Sequence, residues 1–262
     1  MAILFQHRPG LVAYVTCGDP DLAATTEIAL AAIQAGADVI ELGVPFSDPV
    51  ADGPVIQRAS ERALRRGVNL EQVLAAARSI REQSQAGLIV FSYYNPILRF
   101  GLTRFCAAAA AAGADGALIT DLPVEEAGDY LRCMRARSLA TVFLAAPTST
   151  DERLRRIAEA STGFLYAVSR TGVTGVRREL PEDAGALVRR IRKLTSLPIA
   201  VGFGISTPEQ FAAVGEYAEA VVVGSALMEA VEKKRESPAS AVAQLVRYLR
   251  SAADQGLPVS GS

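Results

Sequence analysis

Histidine, lysine and tryptophan are almost missing from this 262-residue chain, which has one histidine (His7), three lysines (Lys193, Lys233, Lys234) and no tryptophan. A Ser-His-Asp hydrolase would have to run on His7 alone, and a histidine-rich metal centre cannot be assembled. All three lysines fall in segments with a helical pattern, so none is placed at a strand end for Schiff-base chemistry. Cys17, Cys106 and Cys133 are odd in number and lack CxxC spacing. Neither a disulfide framework nor a zinc site is expected, which favours a reducing compartment. An excess of basic charge is missing too: 27 basic against 28 acidic residues give a formal net charge of −1, which argues against nucleic acid as the main partner. No run approaches the ~18 apolar residues of a membrane span, and residues 1–10 hold too few apolar positions for a signal-peptide core. A soluble, cytoplasmic protein is expected. If it is an enzyme, carboxylates, a tyrosine or a hydroxyl must move its protons.

What is present is apolar material in a regular arrangement. Half the residues are hydrophobic and 21% are charged, ample for a large core and incompatible with intrinsic disorder. Short β-branched runs at 11–15, 39–42, 88–92, 117–119, 141–144, 164–168, 199–201 and 220–223 alternate with amphipathic patterns such as 22–35, 55–66, 103–112, 124–137 and 182–193. Ser149-x-x-Glu152 and Ser206-x-x-Glu209 read as capping boxes at helix starts. Strictly alternating β and α elements imply a parallel sheet covered on both faces. Eight units in a chain near the ~250 residues of a (β/α)₈ barrel, without an evident linker, favour one closed TIM barrel over an open doubly wound sheet. The whole of 1–262 then forms one domain, with a frayed tail from about Asp254. One internal echo supports repeated units: Ala35-Gly36-Ala37-Asp38 leads into the second strand and Ala112-Gly113-Ala114-Asp115 into the fourth.

Ligands of such a barrel bind at the C-terminal ends of the strands, and there the segment from Glu41 to Pro54 (ELGVPFSDPVADGP) is densest in chemistry. Glu41 interrupts the apolar run Val39-Ile40-Glu41-Leu42, and the echo aligns it with Leu118, so the scaffold itself does not require a carboxylate. A buried, unpaired carboxylate responds by raising its pKa, which suits a general acid/base; pairing with a buried arginine or with backbone amides is the structural alternative. Asp48 and Asp52 lie in the loop beyond, where Ser-Asp-Pro and Asp-Gly-Pro are also turn signals. Asp121, after the fourth strand, either joins the site or starts the next helix. Tyr166, on the sixth strand, is either a core aromatic or a substrate neighbour.

Three glycine sites fall where barrels hold phosphate: Gly202-Phe203-Gly204 after the seventh strand, Gly224-Ser225 opening a helical run after the eighth, and Gly172-Val173-Thr174-Gly175 after the sixth. Each alone is compatible with a tight turn. No G-x-G-x-x-G follows the first strand, which argues against a dinucleotide cofactor. The pairs Arg155-Arg156, Arg177-Arg178 and Arg189-Arg190 read as solvated faces, Arg177-Arg178 also being placed to screen an anion.

Taken with Thr16-Cys17-Gly18-Asp19-Pro20, Tyr93-Tyr94-Asn95-Pro96, Asp121-Leu122-Pro123, the run Ser169 to Gly175 (SRTGVTG) and Gly202-Phe203-Gly204-Ile205-Ser206, the Glu41–Pro54 segment resembles the tryptophan synthase alpha-subunit family over almost the whole chain. The resemblance implies retro-aldol cleavage of indole-3-glycerol phosphate to indole and glyceraldehyde 3-phosphate. Composition independently sets aside lysine and metal aldolase chemistry. The resemblance further implies that Glu41 shuttles a proton at indole C3 and the glycerol hydroxyl, and that Asp52 faces the indole N–H. Tyr166 would position substrate and Glu41; Tyr14, Phe91, Tyr93 and Asp121 would line or support the indole pocket, with Thr174 supporting Asp52. Gly175, Phe203, Gly204, Gly224 and Ser225 would hold the phosphate. A β-subunit partner carrying pyridoxal phosphate, in an αββα assembly, is implied near Pro45 and Asp48; this chain itself would need no cofactor or metal. A stand-alone lyase, an activating partner with little activity and a different phosphate-binding barrel are the rival readings. Two departures from the family pattern stand out. The segment before Gly10 is short, so the helix that covers the barrel bottom is expected to be absent, and Tyr14 stands where phenylalanine is usual.

Overall fold

The computed structural model describes residues 5–168, 182–202 and 204–254. Eight parallel strands close into a barrel in sequence order, β8 pairing back with β1. They are β1 (Gly10–Thr16), β2 (Val39–Gly43), β3 (Gly87–Ser92), β4 (Gly116–Ile119), β5 (Ala140–Ala145), β6 (Leu165–Val168), β7 (Ile199–Gly202) and β8 (Ala220–Val223). Every strand read from the sequence is present, each end agreeing to within one residue.

Outside lie α1 (Leu22–Gln34), α2 (Pro54–Arg65), α3 (Leu70–Arg81), α4 (Tyr94–Phe100), α5 (Leu102–Ala111), α6 (Gly128–Ala136), α7 (Asp151–Ala160), α8 (Glu182–Arg192), α9 (Pro208–Gly215), α10 (Ser225–Lys233) and α11 (Pro238–Asp254). The single helix expected over 124–137 is instead a 3-10 turn, Val124–Glu126, followed by α6 from Gly128. Both caps sit one residue later than expected, and only the second is a capping box. Thr150, not Ser149, accepts from the Arg153 amide. Thr207 pairs reciprocally with Gln210 because Pro208, fixed at the first helical position, makes the residue before it the cap. No described helix is long and apolar enough to cross a membrane.

The sequence echo has a physical cause. Asp38 accepts from the Leu11 amide at 2.8 Å, and Asp115 accepts from the Leu88 amide at 2.8 Å. Glu219 does the same for Ile199 at 2.9 Å and the Thr162 hydroxyl for Thr141 at 2.9 Å. A polar side chain just ahead of each even-numbered strand therefore satisfies an amide at the start of the odd-numbered strand before it. Buried amides require partners, so the barrel closes as four repeated pairs of strands.

Residues of alternate phase point inward. Val12, Val39, Ile89, Leu118, Val142, Phe164, Ala200 and Ala220 fill the lower interior as one apolar cluster. No helix covers that end among the described residues. Phe5 packs there instead, its ring 5.9 Å from Phe164 in an edge-on arrangement. The lone histidine anchors this segment: Asp38 accepts from the Gln6 and His7 amides at 2.9 and 3.1 Å and contacts His7 Nδ1 at 2.8 Å.

Candidate active site

Two residues above Val39 on the same inward face, the pleat of β2 brings Glu41 to the upper interior. Its side chain is fully buried, and neither Oε1 nor Oε2 has a hydrogen-bond partner among the described residues. Burial without compensation pushes its pKa up to about 8. Among the described residues no arginine or backbone amide pairs with it.

Asp52 reaches the same space from the loop between β2 and α2. Burial raises it to about 6, against a hydrogen bond from Tyr93 that pulls it down. Tyr93 Oη donates to Asp52 Oδ2 at 3.1 Å while accepting from the Ala51 amide at 2.9 Å, so one tyrosine fixes both the carboxylate and its loop. Phe46 braces that tyrosine, ring centroids 5.0 Å apart. The turn reading of the loop also holds: the Asp52 amide donates to Pro49 O at 3.0 Å and the Val50 amide to Asp48 O at 2.9 Å. Asp48 itself is exposed and accepts from the Ser47 hydroxyl at 2.6 Å, whereas Pro45 is buried.

Two tyrosines frame the carboxylates. Tyr14 projects inward from β1 and Tyr166 from β6; burial is the main cause that raises both pKa values far above the ordinary one, and Asp52 and Glu41 add to it. Each hydroxyl lies over a glycine on the following strand. A Cβ on Gly43 would fall 2.2 Å from Tyr14 Oη, and one on Gly202 would fall 2.4 Å from Tyr166 Oη. The missing side chains are what make room for these rings. Tyr14 accepts from Thr16 Oγ1 at 3.3 Å and meets Phe91 edge-on at 5.0 Å, placing Phe91 in the apolar wall. Asp121 does not enter this space. It is exposed and accepts from the Tyr94 amide at 2.7 Å, holding the first turn of α4 next to Tyr93.

On the opposite rim, Gly224 precedes α10 and provides no side-chain cap, leaving the helix's first amides for another acceptor. It lies close to Tyr14, whose Cβ is 3.4 Å from the position a Gly224 Cβ would take. Gly204 turns the β7–α9 loop at φ 48°, and Ser206 in that loop keeps a buried Oγ without a partner among the described residues. Phe203, Thr174, Gly175, the remainder of the 169–175 motif and Arg177-Arg178 lie outside the described residues. Sequence reading missed Phe46, Thr16, Gly43 and Leu144, the last inward-facing near the top of β5. Stepping up by twos from the buried lower layer, Val12, Val39 and Val142, reaches Thr16, Gly43 and Leu144 but not Phe46.

The fold and the two buried carboxyls, Glu41 without a described partner and Asp52 held by Tyr93, define an acid–base enzyme on a (β/α)₈ barrel. The chain matches the family described as "Tryptophan synthase alpha chain" over residues 2–256. It is 54% identical over 245 residues to the tryptophan synthase alpha chain of Solibacter usitatus, covering 94% of this chain and 91% of that one. It is also 44% identical to that of Dehalococcoides mccartyi over 250 residues, 95% and 97% of the two chains. A tryptophan synthase structure from Mycobacterium tuberculosis superposes with a TM-score of 0.87 at 39% identity, covering 93% of this chain and 92% of that one. The tryptophan synthase A-subunit of Pyrococcus furiosus gives 0.87 and 40%, covering 93% and 98%. The chain belongs to the tryptophan synthase alpha chain family. It is accordingly a lyase of tryptophan biosynthesis that cleaves indole-3-glycerol phosphate to indole and glyceraldehyde 3-phosphate.

Proposed function

We propose that Glu41 is the proton shuttle of this cleavage and Asp52 the group that stabilises its charged intermediate. The observation that carries the assignment is the fully buried Glu41 carboxyl, with both oxygens unpartnered among the described residues and a pKa near 8. Such a group holds a proton at neutral pH and can surrender it. Glu41 gives its proton to indole C3, which puts positive charge on the ring nitrogen, and the Asp52 carboxylate accepts the N–H hydrogen bond and offsets that charge. Glu41, now ionised, takes the proton of the glycerol hydroxyl. That oxygen becomes the aldehyde carbonyl, the carbon–carbon bond breaks, and its electron pair returns to the ring. Indole leaves and Glu41 is again protonated.

Tyr166 positions the substrate beside Glu41, and Tyr14, Phe91 and Tyr93 hold the indole, with Asp121 acting through α4. Gly204, Gly224 and Ser225 receive the phosphate, helped by the dipole of α10; Phe203 and Gly175 complete the cradle, and Thr174 supports Asp52. Residues 1–262 act as one catalytic domain in the cytoplasm with no cofactor of their own. The partner is a pyridoxal-phosphate β subunit in an αββα assembly, docking at the rim near Pro45 and Asp48. Exposed Val50 and Leu98, on the loop after β2 and on the helix after β3, support an apolar contact at this end. Indole release from indole-3-glycerol phosphate, measured with and without a β subunit, tests the reading. Slow release that rises with the partner and vanishes in Glu41→Gln is expected. Fast release alone would favour a stand-alone lyase, and normal β activation by an inactive Glu41→Gln with no wild-type turnover would favour a purely activating partner.

A further inference from the structure

Positive charge is concentrated on one flank of a chain whose overall charge is nearly balanced. Helices α2 and α10 pack on each other and on β1, and this flank carries Arg58, Arg62, Arg65, Arg66, Lys233, Lys234 and Arg235 against Glu61, Glu229, Glu232, Glu236 and Asp19. All of these carboxylates but Glu236 are already committed. Asp19 is held by Arg62 through two bonds of 2.8 and 2.7 Å, and Glu232 by Arg58 at 3.0 and 2.7 Å and by Arg62 at 2.8 Å. Those two guanidinium groups keep Glu232 ionised down to about pH 2. Glu61 pairs with Arg65 and Glu229 with Lys233, both on exposed helix surface where such pairs are worth little.

A cleft of about 300 Å³ opens here, lined by Asp19, Pro20, Arg62, Arg65, Arg66 and Arg235. No carboxylate among the described residues pairs with Arg66 or Arg235, and Arg65 can turn from Glu61 without losing much. Arg65, Arg66 and Arg235 contribute to its wall, and a guanidinium turned in from the rim matches the planar, bidentate geometry of phosphoryl oxygens.

We propose that this cleft is a second anion site, separate from the barrel mouth, that binds a small polyphosphate-type anion through Arg65, Arg66 and Arg235. It goes beyond the catalytic reading and does not depend on it. The site also adjoins the catalytic parts, because the Asp19–Arg62–Glu232 network ties the loop after β1 to α2, which starts beside Asp52, and to α10, which starts at Ser225. An anion bound there tightens the clamp between these elements.

Inorganic pyrophosphate is the probe. Calorimetric titration of the full chain and of an Arg66→Ala/Arg235→Ala variant compares binding directly, both changes being at exposed positions that leave the core intact. Wild type is expected to bind in this cleft, with an affinity at least tenfold higher than the double variant, and pyrophosphate is expected to raise the Tm of wild type more than that of the variant. Cleavage of indole-3-glycerol phosphate without pyrophosphate stays unchanged in the variant, which distinguishes the cleft from the phosphate position at the barrel mouth. Indistinguishable isotherms, or no binding to wild type, would overturn the proposal. So would a variant whose KM for the substrate rose in step with its loss of pyrophosphate binding, since the anion would then be occupying the catalytic position.

Discussion

The lower and upper halves of the barrel interior are built on the same strands and the same inward phase, yet they obey different rules. One inward step up each strand takes Val12 to Tyr14, Val39 to Glu41, Phe164 to Tyr166 and Ala200 to Gly202. Below, side chains are apolar and Phe5 adds to the packing from outside. Above, a carboxyl is buried with no partner among the described residues, and two glycines leave the space that two tyrosines occupy. The lower half contributes stability by removing apolar area from water. The upper half gives some of it back, since an unpaired buried carboxyl is costly. A site that must hold a mobile proton is built on a layer that needs none of its own.

The largest way to break this contrast is to remove the proton carrier. Glu41→Gln is expected to lower the rate of indole formation by about 10²–10⁴-fold, the usual worth of a positioned acid/base, without loss of fold. Stability should respond in the opposite direction. The folded-state pKa of about 8 lies above the ordinary carboxyl value of 4.5, so the folded chain binds this proton more tightly than the unfolded chain does. That stability is complete below about pH 4.5 and is lost as pH rises towards 8, with a slope of up to ~1.4 kcal/mol per pH unit. Denaturant titrations from pH 5 to 8 should show wild type losing stability relative to Glu41→Gln; parallel curves would mean that Glu41 is not protonated in the folded chain. Asp52→Asn comes next, with an expected loss of about 10²–10³-fold in kcat, comparable to removing one stabilising group from a charged intermediate.

The lower half and the strand frame were legible in the sequence because they follow from alternation alone: runs of three to five residues marked every strand, and the Ala-Gly-Ala-Asp echo marked two of the polar caps. Glu41 was legible for the converse reason, as a carboxylate breaking an apolar run. What could not be read was compensation. Nothing in the spacing says that Asp121 turns to the Tyr94 amide, that Phe46 braces Tyr93, or that Gly43 and Gly202 are vacant for the sake of tyrosines on the preceding strands. These are contacts across elements, and a single sequence carries periodicity along elements. Thr207 as a cap was in principle readable from Pro208; Thr150 beside Ser149 was not, since adjacent hydroxyls compete for one amide.

A gentler disturbance targets the space above Gly202. In Gly202→Ala the new Cβ would meet Tyr166 Oη at 2.4 Å, so the ring must shift. Displacement of a positioning group is expected to lower kcat/KM roughly tenfold or more while the thermal transition moves little. Retention of full activity would remove Tyr166 from the positioning set. The opposite signature belongs below: Phe5→Ala should lose about 2 kcal/mol in denaturant unfolding, less than a fully buried phenylalanine because Phe5 is half-buried, and leave kcat/KM unchanged at about 25 °C. An activity loss without a stability loss there would erase the division between the two halves.

The finest probe separates the two carboxylates by pH. The productive microstate has Glu41 protonated and Asp52 ionised, so kcat/KM should rise through about pH 6 and fall through about pH 8, the values burial imposes on Asp52 and Glu41. Tyr93→Phe deletes the 3.1 Å hydrogen bond that favours the Asp52 carboxylate. With that bond worth about 1 kcal/mol, the rising limb should move up by roughly 0.5–1 pH unit, and the plateau should fall only a few-fold. The falling limb has no reason to move, because Tyr93 makes no hydrogen bond to Glu41. A shift confined to the acid side assigns that limb to Asp52; movement of both limbs together would show the carboxylates titrating as one coupled pair, and no movement would place the acid limb on another group.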